Sequence, residues 1–232
     1  MKRSGIAKPP TPTARRATWR QLERLLDLRN EHPERLAEID RRITRAFAHR
    51  RAVLVLDMCG FSRLTIRHGI VHFLAMIRRL HRAMGPVVRQ AGGHIVKTEA
   101  DNVFAIFADV PKAVAAAIAL RDELSQQNQV LPEDWDLQVG IGIGHGDILM
   151  VGDQDFYGSE VNLASKLGED VAGPGEILLT PAAAARVPKL RHRLRRRRQR
   201  LSGLDVAYFA LLAAPVTSAS PDRRGRGRGS PS

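Results

Sequence analysis

Two aspartates lie where predicted strands end, a position in which carboxylates can bind divalent cations. Asp57 follows the apolar run Ala52–Leu56, which we interpret as a buried strand, and Asp101 lies in a predicted hairpin turn. Carboxylates on neighbouring strands can share Mg²⁺ or Mn²⁺, which bind a few protein oxygens together with substrate phosphates. The helix predicted after Asp57 would add backbone N–H groups suited to phosphate. Taken alone, each side chain is better explained as a helix cap or a turn residue.

The hydrophobic pattern predicts one α/β domain with a mixed sheet, which would position these two aspartates. The predicted helices cover 17–49 with an interruption near Pro33, 62–90, 111–127, 159–170 and 181–187. The predicted strands cover 52–56, 94–99, 103–107, 137–143, 176–180, 189–200 and 204–212. The second part of helix 17–49 has an apolar stripe, which needs a partner surface on the main domain or on a second subunit.

The positive charge is concentrated in three segments. The formal net charge is +13, and segments 1–20, 189–200 and 216–232 hold 18 of the 37 Lys and Arg residues but one of the 24 acidic residues. The remainder is mildly acidic, unlike a domain built to bind nucleic acid. We therefore expect no specific nucleic-acid partner. The basic ends would give at most a weak, salt-dependent attraction to nucleic acid or an anionic membrane.

Composition and hydropathy favour an ordinary globular protein of a reducing compartment. The single cysteine, Cys59, cannot form an internal disulfide. No apolar run reaches the length of about 18 residues expected of a membrane span. The basic N-terminus lacks the apolar core of a secretory signal. The expected location is the cytoplasm.

Five motifs in register resemble the class III nucleotidyl cyclase family, the adenylate and guanylate cyclases. Their order and separations suit one domain, and the resemblance covers roughly residues 50–212. The motifs are Asp57–Ser62, Lys97–Asp101, the glycine-rich stretch Val139–Gly152, Tyr157–Lys166 and Gly173–Leu178. The implied fold is an α+β sandwich, with a mixed, mostly antiparallel sheet and flanking helices of the ferredoxin-like or palm-like type.

The resemblance implies a metal and phosphate site. In the family, two Mg²⁺ or Mn²⁺ ions bind at the positions of Asp57, Asp101 and the backbone carbonyl of Met58. The ions assist attack of the ribose 3′-hydroxyl on the α-phosphate. The backbone of Cys59, Gly60 and Phe61 would hold the phosphates. A basic residue near the end of the chain would also contact them, either Arg200 or a member of the run 195–198.

The resemblance also implies residues that select the base and orient the ribose. Lys97 and Asp155 match the pair typical of adenylate cyclases, in which a donor meets adenine N1 and an acceptor meets the exocyclic amine. Asn162 matches the asparagine that orients the ribose. The transition-state position holds Lys166 where the family has arginine, and Ala100 stands where it usually has glycine. Lysine keeps the charge but loses the bidentate geometry of arginine.

The implied function is an adenylate cyclase that converts ATP to 3′,5′-cyclic AMP and pyrophosphate in signal transduction. Because family members build each site from two domains arranged head to tail, the expected assembly is a homodimer. The alternative is a weak or inactive cyclase-like module that binds nucleotide or dimerises. The expected divisions are a disordered basic arm at 1–16, a helical segment at 17–49, the cyclase-like domain at 50–214 and a disordered tail at 215–232.

Overall fold

The structure is a computed structural model that describes residues 17–201 and 203–213. The predicted arm 1–16, Ser202, Ala214 and the predicted tail 215–232 lie outside the described residues. In the described ranges, no helix is long and apolar enough to cross a membrane.

The N-terminal segment forms a pair of helices that pack on the main domain. Helix α1 spans Trp19–Glu31 and α2 spans Leu36–Phe47, and a 3₁₀ turn at Pro33–Arg35 separates them. The buried apolar side of α2 packs against α1 and against Val151, which lies at the end of a central strand of the sheet. The cluster comprises Leu22, Leu25, Ile39, Ile43, Phe47 and Val151, with Leu149 packed against it. Ile39, Ile43 and Phe47 of the apolar stripe predicted on α2 are therefore covered within the chain, whereas Leu36 at its start is exposed.

Within the described residues, eight strands form one sheet, which confirms the predicted fold class. Their bounds are β1 Ala48–Met58, β2 His94–Glu99, β3 Asn102–Phe107, β4 Val139–Val151, β5 Asp155–Tyr157, β6 Ile177–Leu179, β7 Leu194–Leu201 and β8 Leu204–Leu211. The order is β2-β3-β1-β4-β6-β8-β7, and β5 pairs with the end of β4. The pair β4–β6 is parallel, and the other pairs are antiparallel.

Further helices in the described part of the chain flank the sheet. They are α3 Phe61–His68, α4 Ile70–Gln90, α5 Val110–Val130, α6 Ser159–Lys166 and α7 Pro181–Ala184. A π-helical segment, Leu167–Val171, continues α6. Two 3₁₀ turns, Glu133–Trp135 and Pro188–Arg193, precede β4 and β7. Helix α5 begins as predicted, with Pro111 in its first turn, and Asp109 caps it by accepting from the Lys112 N–H.

Several sequence predictions need correction. The helical segment expected over 17–49 ends at Phe47, and Ala48 and His49 begin β1. The single helix expected over 62–90 is wrong, because Gly69 with φ of 81° ends α3 before α4 begins. The first part of the strand expected over 189–200 is a 3₁₀ turn, and β7 starts at Leu194. The sequence pattern missed β5, which contains Asp155 and is only 3 residues long.

The sheet has two unlike faces. We call the first the helix-covered face: Ala52, Leu54 and Leu56 of β1 are buried there beneath α4 and α5. We call the second the site face: Val53 and Val55 point to it, into a smaller cluster with α6 residues. Because side chains alternate along a strand, Asp57 also belongs to the site face.

Candidate active site

Glycines in β4 allow α6 to lie against the site face. A Cβ atom on Gly142 would be 2.0 Å from the carbonyl oxygen of Ala164, and one on Gly144 would be 2.6 Å from that of Glu160. Real Cβ atoms do not approach backbone so closely, so only glycine fits. Alternating glycines in a strand are typical of such a close approach between backbones. This contact fixes the height of α6 above the sheet, and with it the height of Asn162 and Lys166.

A buried polar network also fixes the start of α6. The Glu160 carboxylate accepts from the His145 N–H at 3.1 Å and from the Thr180 hydroxyl at 2.7 Å. Thr180 is fully buried, and its hydroxyl accepts from the Ala183 N–H to cap α7. Buried polar groups are costly unless paired, and these are paired. The network therefore ties α6, β4 and α7 together.

The two aspartates come together as predicted. Asp57 ends β1, and Asp101 lies in the β2–β3 turn, where it is 8% exposed. Burial, the charge of Asp101 and the charge of Glu169 raise the pKa of Asp57 to about 7. Burial also raises the pKa of Asp101. Glu169, whose charge acts on this pair, was not predicted, because nothing in its spacing indicates that the π-helical turn brings it near.

The backbone after Asp57 turns sharply into α3. Gly60 adopts a left-handed φ of 81° immediately before the helix, which begins at Phe61. Glycine has no side chain to cap the helix, so the first N–H groups are left for another acceptor. The Cys59 N–H already donates to the Gln138 carbonyl at 2.8 Å. Met58 is buried at the end of β1, opposite Val139 of β4. Burial raises the pKa of the Cys59 thiol to about 11.

Lys97 and Asp155 form an ion pair across two separate elements. The Lys97 ammonium lies 3.1 Å from the Asp155 carboxylate and 2.7 Å from Glu99. It also lies 4.9 Å from the centre of the Phe104 ring, on the site face. The side chains of Lys97 and Asp155 are 24% and 19% exposed, so the pair is largely sheltered from water. The structure thus brings together two residues that lie far apart in the sequence.

The Tyr157 hydroxyl is a further partner of this pair that the sequence analysis did not single out. It donates to Asp155 at 2.7 Å. Burial acts to raise the pKa of Asp155, but the hydrogen bonds from Tyr157 and Lys97 outweigh it, and the pKa lies below its ordinary value. The Asp155 carboxylate is therefore held in its ionised, acceptor form. In the sequence, the clue to this contact is that Asp155 and Tyr157 are two residues apart, which places both side chains on the same side of a strand.

Asn162 and Lys166 lie one turn apart on α6, as their spacing predicts. Asn162 is exposed, and the Lys166 side chain is 40% exposed. The Lys166 ammonium lies 3.9 Å from Asp170 in the following π-helical segment.

Arg200 lies on β7, at the opposite end of the strand order from β2. It is exposed, and its backbone pairs with that of Asp205. Arg197 in the same run is engaged elsewhere, since it donates to Glu176 at 2.7 Å. The role of Arg200 toward phosphate stays a prediction.

Ala100 adopts an unusual backbone conformation. Its φ of 53° makes it the one non-glycine residue with positive φ in the ranges 17–201 and 203–213. Alanine in this region costs about 1 kcal/mol relative to glycine. The strain lies directly beside Asp101, in the turn that places this carboxylate.

Comparison with known protein families shows to which family the chain belongs. The model of the adenylate and guanylate cyclase catalytic domain matches residues 48–206, more than half of the chain. The chain belongs to this family. The match includes both aspartates, the Lys97–Asp155 pair and α6.

Individual relatives agree with this assignment. A putative adenylate cyclase 3 from Rhizobium meliloti (strain 1021) is 33% identical over 129 residues, or 56% of this chain and 22% of that protein. An adenylate cyclase from Streptomyces coelicolor is 29% identical over 153 residues, which are 66% of this chain and 36% of that protein. The cyclase domain thus corresponds to about a third or less of these relatives' lengths.

A solved structure shows the same fold. The adenylate/guanylate cyclase/hydrolase from Silicibacter pomeroyi is 26% identical, with a TM-score of 0.62. The similarity covers 72% of this chain and 98% of that one. The mixed sheet with flanking helices is therefore that of a cyclase catalytic domain.

Proposed function

We propose that this cyclase domain is an adenylate cyclase that forms 3′,5′-cyclic AMP and pyrophosphate from ATP. The observation that carries the choice of base is the contact between Lys97 and Asp155. Adenine offers an acceptor at N1 and a donor at its exocyclic amine, which complement a lysine and an aspartate. Guanine presents the opposite pattern and would leave sheltered polar groups unpaired, at a cost of about 1–3 kcal/mol for each. The pair therefore favours ATP over GTP.

The aspartate pair fits a divalent cation such as Mg²⁺ or Mn²⁺. Two sheltered carboxylates with raised pKa values repel each other when both are ionised, and a bound cation would relieve that repulsion. Asp57, Asp101 and the Met58 carbonyl would hold it, with substrate phosphates completing the oxygen ligands. A bound ion would screen the phosphate charge and make the ribose hydroxyl more acidic.

The remaining residues would bind and orient the nucleotide. The N–H groups of Gly60 and Phe61 would donate to phosphate oxygens at the start of α3. Asn162 would hold the ribose so that the 3′-oxygen bonds to the α-phosphorus as the bond to pyrophosphate breaks. Lys166 would stabilise the negative charge that develops on the α-phosphate. Arg200 would contact the terminal phosphates.

We further propose that the active unit is a homodimer with two head-to-tail sites. The site face supports this, because apolar residues there (Val96, Ile106 and Met150) are only partly buried. A second apolar surface on α3 and α4 is largely exposed. It consists of Ile66, Ile70, Val71 and Leu74, with exposures of 87%, 56%, 78% and 56%. Exposed apolar patches of this kind mark protein interfaces.

A second candidate is a regulatory module that binds nucleotide without turning it over. The observation that favours it is Lys166, because an ammonium cannot make the bidentate contacts of a guanidinium. The strained backbone of Ala100 also favours the regulatory module, because it lies directly beside Asp101.

The deciding experiment is incubation of the purified chain with Mn²⁺ and either ATP or GTP, followed by chromatography of cyclic nucleotides. We expect cyclic AMP in excess of cyclic GMP. Asp57→Ala should abolish the product, whereas Asp122→Ala, at an exposed site on α5, should leave it unchanged. Cyclic GMP as the main product would contradict the choice of base. ATP binding without any product would favour the regulatory module.

Lys166 variants test the transition-state role. Lys166→Arg should keep or raise turnover, and Lys166→Ala should reduce it by about 100-fold or more, the usual scale for a lost donor to charge in the transition state. Lys112→Ala, which removes an exposed lysine from α5, is the matched control. Turnover that responds to neither change at position 166 would exclude this role.

A further inference from the structure

A line of contacts joins the N-terminal helix to the residues proposed to select the base. The Trp19 ring meets the Tyr157 ring edge to face, with centroids 5.8 Å apart and planes at 78°. The Tyr157 hydroxyl donates to Asp155, which in turn pairs with Lys97. Residues of α1, β5 and β2 are thereby linked in one path that ends at the proposed adenine site.

The Asp155 carboxylate is oriented by three donors. Oδ1 accepts from the Phe156 N–H at 2.8 Å and lies 3.1 Å from the Lys97 ammonium. Oδ2 accepts from the Tyr157 hydroxyl at 2.7 Å. Each carboxylate oxygen has two lone pairs. The Tyr157 bond therefore fixes the rotation of the carboxylate while one lone pair of Oδ2 stays available to an exocyclic amine.

Tyr157 needs Trp19 because packing in the core does not hold it. Tyr157 is 42% exposed and Trp19 is 38% exposed, so each ring uses the other as a neighbour. Trp19 itself is fixed by the start of α1, where the Gly152 N–H donates to the Ala17 carbonyl at 2.9 Å. Leu22 and Leu25 then bury α1 against Val151, at the end of β4 beside β5. The position of α1 thus sets the position of the Tyr157 ring.

We propose that Tyr157 is a positioning residue for base selection and that α1, through Trp19, controls how strongly the domain prefers adenine. This inference rests on the proposed function, because it assumes that Lys97 and Asp155 meet the base. It assigns the N-terminal helices a role in specificity: a displacement of α1 would loosen Tyr157 and then Asp155. The affected quantity is the preference between ATP and GTP, rather than the rate of the chemical step.

The test compares ATP and GTP binding to the full chain by calorimetry with Ca²⁺ in place of Mn²⁺, alongside turnover with Mn²⁺. Tyr157→Phe keeps the ring and removes the hydroxyl. A hydrogen bond to a charged group is worth roughly tenfold in affinity, and we expect the ratio of ATP to GTP affinity to fall by about that factor. The KM for ATP should rise, and kcat at saturating ATP should stay within about twofold.

Trp19→Ala should lower the ratio of ATP to GTP affinity by a smaller factor than Tyr157→Phe does. Trp19→Phe, which keeps an aromatic ring, should leave the ratio close to that of the unaltered chain. In the Tyr157→Phe background, Trp19→Ala should have no further effect on the ratio, because the hydroxyl through which it acts is gone. Tyr208→Phe and Trp135→Ala are matched controls, since these rings lie on β8 and before β4. Both controls should keep the ratio of the unaltered chain.

The outcomes separate the two proposals. An unchanged affinity ratio in Tyr157→Phe overturns the positioning role and leaves the proposed function intact. Additive effects of the two substitutions overturn the path through Tyr157. Selective ATP binding without cyclic AMP overturns the proposed function, while the affinity ratios still assess Tyr157. Failure of the unaltered chain to bind either nucleotide overturns both.

Discussion

Alternate residues of β1 face two different environments. Leu54 and Leu56 lie on the helix-covered face within one large apolar cluster, and Val53, Val55 and Asp57 lie on the site face with fewer apolar neighbours. The first face is closed by long helices, and the second by a two-turn helix and a short strand. One strand thus supplies both the core that stabilises the domain and the carboxylate proposed for chemistry.

The largest expected difference between the faces concerns glycine. Gly142→Ala would place a methyl group 2.0 Å from the Ala164 carbonyl oxygen on the site face. We expect it to reduce the free energy of unfolding by about 3 kcal/mol, because backbone would have to move. Gly85→Ala in α4 is the matched control, since its nearest neighbour is the flexible Arg89 side chain at 3.4 Å. It should stabilise by about 1 kcal/mol. Urea unfolding measures the free energy of unfolding of both variants. Equal changes in the two variants would contradict the expected difference between the two sites.

The second prediction concerns the charge on the site face. The pKa of Asp57 is raised to about 7, above the value near 4 expected for an unfolded chain. The folded protein therefore binds the proton more tightly, and its stability without metal should fall as the pH rises from about 4 to 7. Asp57→Asn should stabilise the metal-free chain at pH 7.5 by ~1 kcal/mol.

Thermal unfolding with and without Mn²⁺ checks this second prediction. Mn²⁺ should raise the Tm of the unaltered chain more at pH 7.5 than at pH 5.5, because protons compete with the cation. The increase should vanish in Asp57→Asn. Metal stabilisation that is independent of pH and unaffected by the substitution would show that the cation binds elsewhere.

The smallest expected effect is at the turn beside Asp101. Ala100→Gly removes the strain of a φ of 53°. It should stabilise the protein by about 0.5–1 kcal/mol, although glycine also adds freedom to the unfolded chain. Chemical denaturation measures the gain, and Ala91→Gly at the end of α4, where φ is −77°, is the control that should lose stability. A loss at both positions would mean that the turn tolerates alanine without strain.

The elements rich in regular apolar spacing could be predicted from the sequence, and the exceptions have physical causes. The α4 and α5 patterns repeat along a whole helix face, so their existence was clear. The break at Gly69 was missed because an isolated glycine is compatible with a helix, and only its left-handed φ ends α3. Strand β5 was missed because a run of three residues is too short to show alternation.

Part of the candidate site could be predicted from the residues alone. Asp57 and Asp101 were singled out because they lie where predicted strands end, where two carboxylates can share a cation. Lys97, Asp155, Asn162 and Lys166 came from family resemblance, because contacts across strands leave no local pattern. Helical periodicity adds only that Asn162 and Lys166 lie on one side of α6. The Trp19–Tyr157 contact spans the length of the domain in sequence, and neither residue type nor spacing indicates it.

The parallel pair β4–β6 has a consequence for how the domain opens. Helix α6 lies in the connection between these two central strands, and it packs on the glycines of β4. A helix of two turns would not persist alone in water. The packing of α6 against the sheet should therefore slow the exchange of its amide hydrogens with solvent, compared with a free helix of this length. The same packing holds the segment that carries Asn162 and Lys166.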